Sequence, residues 1–147
     1  MVNKPKRVRR SELAVPGSSE KMMAKAAASK ADLVFMDLED AVAPNAKVRA
    51  RSMIVTALKE LDWSGKTTCV RINDLGTEWA YEDIISVVEG AHDHLDLIMI
   101  PKVLRASDVL FVDTLLSQME KKLKTKRRIG IEVLIEEVEA MMNVEEI

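Results

Sequence analysis

The stretch Leu33-Val34-Phe35-Met36-Asp37-Leu38-Glu39-Asp40 decides the fold class of this chain. It begins with a continuous apolar run, which is typical of a parallel strand covered on both faces. Three carboxylates follow, and a buried carboxylate without a partner costs several kcal/mol. Ligands bind at the carboxyl ends of strands in parallel α/β proteins. The stretch therefore predicts a buried strand ending in a polar site, the alternative being a solvated turn with an aspartate helix cap.

The overall composition narrows the class of protein. The chain has 147 residues, a net charge of −2 and 3% aromatic residues, so neither nucleic acid nor a membrane surface is an expected partner. It contains no apolar run long enough for a membrane span. Its single cysteine, Cys69, cannot form an internal disulfide, and a reducing cytoplasm is the expected compartment.

Strand-like and helix-like segments alternate along the chain. The predicted strands are 11–16, 33–38, 67–73, 95–100 and 129–135, and the predicted helices are 18–30, 47–61, 78–91 and 107–124, with another beginning at 137. This alternation predicts a parallel α/β sheet. Two architectures fit it: an open doubly wound sheet, and the first five units of an eight-stranded TIM-type barrel, which needs about 250 residues.

The barrel is the favoured architecture, because the last predicted helix is still in progress at Ile147, as in a truncated chain. We expect residues 1–10 to form a basic N-terminal tail. Residues 11–147 would then form the N-terminal part of one (β/α) barrel domain.

Arg71 is the most informative charged residue outside the acidic stretch. It lies within a strand-like run, and a buried guanidinium requires carboxylate or phosphate partners. Side-chain alternation places Phe35, Asp37 and Glu39 on one face of their strand, and it places Arg71 on the corresponding face of the next. We therefore expect Arg71 to pair with the acidic cluster at 37–40, as a functional group or as a structural ion pair.

The fifth predicted strand carries two carboxylates on one face, Glu132 and Glu136. Glu136 comes at the strand's end, where oxygen ligation with room for water suits Mg²⁺ better than zinc. Glu132 lies deeper, and we expect a basic residue to neutralise it.

Several segments together resemble a known family. They are Arg10–Ser18, Asp37–Val42, Lys47 with Ala50-Arg51, Val70–Asn73, Ile98–Lys102 and Ile135-Glu136. In this order they are similar to the HpcH/HpaI aldolase and citrate lyase β-subunit superfamily. The subgroup they most resemble is that of malyl-CoA and citramalyl-CoA lyases.

The resemblance implies a TIM-type barrel, Mg²⁺ as cofactor, and carbon–carbon bond cleavage in acyl-CoA thioesters. By position, Arg71 resembles the arginine that holds the substrate oxygen, and Glu136 resembles one metal ligand. Glu39 and Asp40 resemble the acidic pair that supports both. The CoA-binding candidates that it implies are Lys25, Arg10 and Ser19.

The partners implied are an acyl-CoA thioester and an oxo acid, with a homo-oligomer, a trimer or hexamer, for the full-length protein. A second metal ligand is expected on a strand beyond Ile147, so the 147-residue segment alone is expected to be inactive. Two alternatives stay open. One is an acyl-CoA thioester hydrolase on the same site, and the other is an inactive segment or interaction module.

Overall fold

The computed structural model describes residues 8–147, which form five strands and five α-helices in strict alternation. The strands are β1 (Glu12–Pro16), β2 (Leu33–Asp37), β3 (Thr67–Arg71), β4 (Leu97–Ile100) and β5 (Gly130–Val133). The helices are α1 (Glu20–Ala27), α2 (Lys47–Glu60), α3 (Ala80–Ala91), α4 (Ala106–Leu123) and α5 (Val138–Met142). No helix in this part of the chain is long and apolar enough to cross a membrane.

The strand order distinguishes the two predicted architectures. The strands lie in the order β1-β2-β3-β4-β5, and every neighbouring pair is parallel. A doubly wound sheet reverses its order at a switch point, and the five strands described here show no reversal. Right-handed crossovers in unbroken order place the helices on one face of the sheet. The α/β fold of TIM-barrel type is thus confirmed, and the open doubly wound sheet is excluded.

The two faces of the sheet form separate cores, as a barrel requires. The outer face packs against the helices in one large cluster, which includes Val34, Val70 and Ile98 from the strands. The inner face has a smaller cluster without helical residues. Its members are Leu33, Cys69, Leu97 and Met99, with Phe35 and Leu134 packed against them.

Contacts across the inner face show that the sheet is curled. Arg9 precedes β1 and its Nη1 lies 3.2 Å from Glu132 Oε2 in β5, at the opposite edge of the sheet. Burial, followed by the neighbouring Glu132 carboxylate, raises the pKa of Glu12 of β1. Strands at opposite edges of a flat sheet could not touch in this way. Glu132 thus has the basic partner predicted for it.

Most element boundaries agree with the sequence prediction to within three residues. The exception is α5, which the sequence predicts to be still in progress at Ile147 and which instead ends at Met142, with Asn143 as its C-cap. Strand β3 ends at Arg71 rather than residue 73, because the Asn73 N–H is bonded to Asp83 instead of a neighbouring strand. Helix α4 begins at Ala106, since Asp108 accepts hydrogen bonds from the N–H groups of Leu104 and Arg105.

The predicted tail of residues 1–10 lies mostly outside the described residues. Of its basic side chains within them, Arg9 contacts Glu132 and Arg10 contacts Asp32.

Candidate active site

Polar side chains meet at the edge of the sheet where the five strands end. Because the strands are parallel, the segments that follow them lie at one rim. The segments after β2, β4 and β5 bring Glu39, Lys102 and Glu136 to this rim, and β3 contributes Arg71 at its last residue. The predicted acidic cluster and arginine are therefore neighbours in space.

Arg71 and Asp37 form the best-defined contact of the site. They are register partners on adjacent strands, so both side chains point to the inner face. Arg71 Nε and Nη2 donate to the two carboxylate oxygens of Asp37 at 2.8 and 2.7 Å. The Arg71 guanidinium also lies 5.5 Å from the centroid of the Phe35 ring and forms a cation–π contact with it. The predicted pairing of Arg71 with the acidic cluster is thus present in the structure.

Asp37 is an ionised, fully engaged carboxylate. It is 1% exposed, and it also accepts hydrogen bonds from the N–H groups of Glu39 and Ala41 at 2.8 and 2.9 Å. Burial by itself raises the pKa of Asp37, but the hydrogen bonds from Arg71 and the two backbone N–H groups outweigh it, and the pKa lies below its ordinary value. Asp37 therefore holds Arg71 as a charged pair with a fixed orientation.

Glu39 lies between two cations. Its Oε1 accepts from Lys102 Nζ at 2.6 Å, and its Oε2 lies 3.3 Å from Arg71 Nη1. Oε2 is buried and accepts no hydrogen bond. Its contact with Arg71 is therefore an ion pair in which no N–H of Nη1 points at the oxygen. Asp40 stands at the outer margin, with its side chain 73% exposed and 4.0 Å from Lys102 Nζ.

Glu136 is joined to this group through Lys102. The Lys102 backbone N–H donates to Glu136 Oε1 at 2.9 Å, while the side chain of the same lysine holds Glu39. The Lys102 side chain is 35% exposed, and hydrogen bonding to Glu39 raises its pKa. Glu136 and Arg71 thus belong to one connected cluster, although Glu136 follows β5 and Arg71 is the last residue of β3.

A buried polar network supports the rim from the helix side, and sequence reasoning did not assign it to the site. Lys47, at the start of α2, is 5% exposed. Its Nζ donates to the carbonyl oxygens of Leu38 and Glu39, both at 2.8 Å, and to Asn73 Oδ1 at 2.5 Å. Burial lowers the pKa of Lys47, against the opposing effect of nearby carboxylates led by Asp83. This ammonium ties the loop after β2 to the loop after β3.

Asp83 completes the network beneath Asn73. It is fully buried and accepts from the Asn73 backbone N–H at 2.9 Å and from Nδ2 at 2.6 Å. Its other oxygen accepts from Arg51 Nε at 2.7 Å.

One sequence signal could have found Lys47. A cation in the first turn of a helix opposes the helix dipole, so its presence there calls for a specific partner. Asp83 gives no such signal, because an acid in a first turn is ordinary.

The structure does not bring all the predicted CoA-binding residues to this rim. Ser19 is there, as the N-cap of α1, where its Oγ accepts from the Met22 N–H. Lys25 lies in the last turn of α1, exposed, and roughly 9 Å further along the helix axis. Arg10 pairs with Asp32 at the opposite end of the sheet, before β1 and β2 begin.

The side chains present fit a magnesium ion in their chemistry but supply only part of a site. Within residues 8–147, no group of three or more His, Cys, Asp and Glu side chains is arranged to hold a metal. Glu136 is exposed at the rim, and Lys102 engages only its Oε1. Carboxylate oxygen with space for water is what Mg²⁺ prefers. These residues would therefore contribute Glu136 as one ligand.

Comparison with known proteins identifies the family. The model of the HpcH/HpaI aldolase/citrate lyase family matches residues 10–147. This chain belongs to that family.

Two curated relatives share much of the sequence of this HpcH/HpaI family member. The L-malyl-CoA/beta-methylmalyl-CoA lyase of Cereibacter sphaeroides is 44% identical over 143 residues, which is 97% of this chain and 45% of that protein. A (3S)-malyl-CoA thioesterase from the same organism is 39% identical over 110 residues, 75% of this chain and 38% of that protein. The chain thus spans less than half the length of these relatives.

Solved structures of this architecture agree with the fold. CitE of Mycobacterium tuberculosis, in complex with magnesium, acetoacetate and coenzyme A, matches with a TM-score of 0.71 and 28% identity. The match covers 95% of this chain and 45% of that one. Malate synthase of Haloferax volcanii, a lead(II) complex, matches with a TM-score of 0.85 and 20% identity, over 97% of this chain and 45% of that one, and supports the fold alone.

Proposed function

We propose that the protein to which these residues belong is a Mg²⁺-dependent carbon–carbon lyase. Its substrate would be a β-hydroxyacyl-CoA such as malyl-CoA or citramalyl-CoA, and its products an oxo acid and acetyl-CoA. The observation that carries the proposal is the Arg71–Asp37 pair at the carboxyl end of β3, within a chain 44% identical to a malyl-CoA lyase. Because the chain spans 45% of that relative, the activity proposed is that of the whole protein.

Arg71 would stabilise the negative charge that develops during cleavage. A base takes the hydroxyl proton, and the bond between the hydroxyl-bearing carbon and the carbon next to the thioester breaks. Its electrons move to the thioester oxygen as an enolate, and that carbon then takes up a proton to give acetyl-CoA. Arg71 has five N–H donors, and the pair with Asp37 uses two of them. The Arg71 side chain is 15% exposed, and its remaining donors are not used by Asp37. Preorganised donors of this kind contribute about 2.7–4 kcal/mol to transition-state stabilisation.

Glu39 and Asp40 would support the arginine from the end of β2, with Glu39 buried beside it and Asp40 at the solvent margin. Glu136 would hold the metal ion. When bound, the ion would act as a Lewis acid toward the substrate's oxygen atoms. The Mg²⁺ in the CitE complex supports a divalent cation for this family, and the exposed position of Glu136 at the rim supports its proposed role as a ligand.

A thioester hydrolase on the same site is the second candidate, and the (3S)-malyl-CoA thioesterase relative favours it specifically. The two reactions share a β-hydroxyacyl-CoA and differ in the bond that breaks. Cleavage of the carbon–carbon bond gives an oxo acid and acetyl-CoA, whereas hydrolysis gives free CoA and an intact hydroxy acid. The products therefore decide between them.

The test is an assay of the complete reading frame's product on malyl-CoA and citramalyl-CoA, with Mg²⁺ and with a chelator. We expect glyoxylate or pyruvate together with acetyl-CoA, and loss of both products when the metal is removed. Free CoA with intact malate would identify the hydrolase. No turnover of either thioester would leave the inactive or interaction module as the correct alternative. A homo-oligomeric state and a cytoplasmic location remain predictions.

A further inference from the structure

Lys102 has an unusual backbone conformation for its position. Its φ is 50°, in the left-handed region that favours glycine. Lys124 also has positive φ, but it is the C-cap of α4, where this conformation is common. Lys102 follows β4 and ends no helix, so the surrounding structure must hold it in this conformation.

The conformation directs two donors of one residue to two different carboxylates. The Lys102 backbone N–H reaches Glu136 Oε1 at 2.9 Å, and its Nζ reaches Glu39 Oε1 at 2.6 Å. Glu39 follows β2 and Glu136 follows β5. A single residue thus connects the acidic ends of two strands that are not neighbours in the sheet.

The ammonium group also influences Arg71 through Glu39. Glu39 Oε2 is buried, lies 3.3 Å from Arg71 Nη1, and makes no hydrogen bond. A buried carboxylate oxygen so close to a guanidinium would ordinarily close into a directed hydrogen bond. The other oxygen of Glu39 is held by Lys102 Nζ at 2.6 Å, and this short contact opposes such closure.

We propose that Lys102 is a positioning residue of this site: its ammonium keeps Glu39 from forming a directed hydrogen bond with Arg71 Nη1, so that this donor stays available to a substrate, and its backbone N–H orients Glu136. The kinetic part rests on the proposed function. The geometric part concerns only where Glu39 and Glu136 lie.

The decisive variant is Lys102→Gly in the complete reading frame's product. Glycine accepts the left-handed φ and keeps the backbone N–H, so the change removes only the side chain. We expect kcat/KM for the preferred thioester to fall about 10- to 100-fold, because Glu39 closes on Arg71. Mn²⁺ affinity, measured by calorimetry, should stay unchanged because Glu136 keeps its donor. Unchanged kcat/KM would overturn the role of the ammonium.

Lys124→Gly is the matched control. It is the same substitution at nearly the same φ, 53°, on an exposed lysine whose side chain has no ion pair among the described residues. We expect wild-type kinetics and metal affinity. If Lys124→Gly lowered kcat/KM as much as Lys102→Gly, the effect would come from replacing a lysine by glycine and not from the position of Lys102 in the site.

Lys102→Ala tests the backbone contact separately. Alanine keeps the N–H and, like lysine, disfavours the left-handed φ, but it lacks the ammonium contact with Glu39 that helps to hold this conformation, so the N–H should move away from Glu136. We expect weaker Mn²⁺ binding than in the Lys102→Gly variant. Equal affinity in the two variants would overturn the orienting role.

Two further results distinguish action through Glu39 from direct substrate contact. In a Glu39→Gln background, Lys102→Gly should cause little additional loss, whereas additive losses would overturn the proposal. A crystal structure of the Lys102→Gly variant should show Glu39 hydrogen-bonded to Arg71 Nη1, and an unmoved Glu39 would contradict it. The structure answers the geometric question even if the protein turns over neither malyl-CoA nor citramalyl-CoA.

Discussion

Replacement of Asp37 by asparagine should destabilise the protein strongly, because four hydrogen bonds depend on that carboxylate. Two come from Arg71, at 2.8 and 2.7 Å, and two come from the backbone N–H groups of Glu39 and Ala41, at 2.8 and 2.9 Å. The asparagine amide offers one oxygen, and its NH₂ group would face N–H donors. Breaking one member of a buried ion pair costs about 3–5 kcal/mol, and we expect the Asp37→Asn loss to fall in this range.

The loss should depend on pH in a defined direction. The folded pKa of Asp37 lies below its ordinary value of 3.8, so the ionised group stabilises the folded state at higher pH. That contribution is complete above the unfolded pKa and disappears as the pH falls through the folded one. The difference in stability between wild type and Asp37→Asn should therefore be constant between about pH 6 and 8 and narrow below about pH 4.

Urea denaturation at several pH values measures both effects, and Asp32→Asn is the matched control. Asp32 receives the same two-point contact from a guanidinium, Arg10 Nε and Nη2, at 3.0 and 2.9 Å, and this pair lowers the pKa of Asp32 to about 2. The Arg10 side chain, however, is 78% exposed, against 15% for Arg71. We expect a much smaller loss at the exposed pair. The argument from burial would be refuted if Asp37→Asn and Asp32→Asn lowered the free energy of unfolding equally. It would also be refuted if the difference in stability between wild type and Asp37→Asn did not change with pH.

Three further predictions concern single positions. Arg71→Lys should lower kcat/KM roughly 10²- to 10³-fold, because lysine lacks the planar donor set of arginine. It should cost less stability than Asp37→Asn, since lysine keeps a positive charge near Asp37. If the free energy of unfolding in urea fell in proportion to kcat/KM, the residue would be structural. Gly17→Ala should cost about 1–3 kcal/mol by urea denaturation, because the new Cβ would lie 2.7 Å from the Asp37 carbonyl oxygen. In the control Gly76→Ala, the new Cβ would lie 3.4 Å from Asp74 Oδ1, and the stability should change little. Cys69 is 0% exposed and burial raises its pKa, so a thiol reagent at about pH 8 should modify it only after unfolding in urea, and rapid modification of the folded protein would contradict its burial.

The structure also changes how the role of Arg71 should be tested. The obvious variant, Arg71→Ala, would leave Asp37 buried without its cation, and a loss of activity could then reflect unfolding. The lysine variant avoids this ambiguity.

The sequence was sufficient for those parts of the site that follow from strand periodicity. Alternation placed Asp37 and Arg71 on one face of adjacent parallel strands, and the register pairs these same two residues. It also placed Glu132 on the inner face, where Arg9 neutralises it. These predictions succeeded because side-chain direction in a strand has a period of two and does not depend on distant residues.

Lys47, Asp83 and Lys102 were given no role in the site, because nothing local indicates which residues they contact. Lys47 reaches backbone carbonyls after β2 only because α2 packs across that end of the sheet. Lys102 joins Glu39 and Glu136 across sequence separations of 63 and 34 residues. Conversely, the structure leaves Arg10 and Lys25 away from the rim, because strand β1 and helix α1 carry them toward the other end of the sheet.

The sequence by itself determined the alternation of strands and helices, the buried character of the strands and the inward direction of their charged residues, since local periodicity and turn residues specify these features. Tertiary structure alone decided that the strands lie in sequential order and that the sheet curls until Arg9, just before β1, meets Glu132 of β5. It also decided that one lysine after β4 holds two carboxylates from other strands. Such contacts depend on how non-adjacent elements pack, and their free energy is shared among residues far apart in the chain.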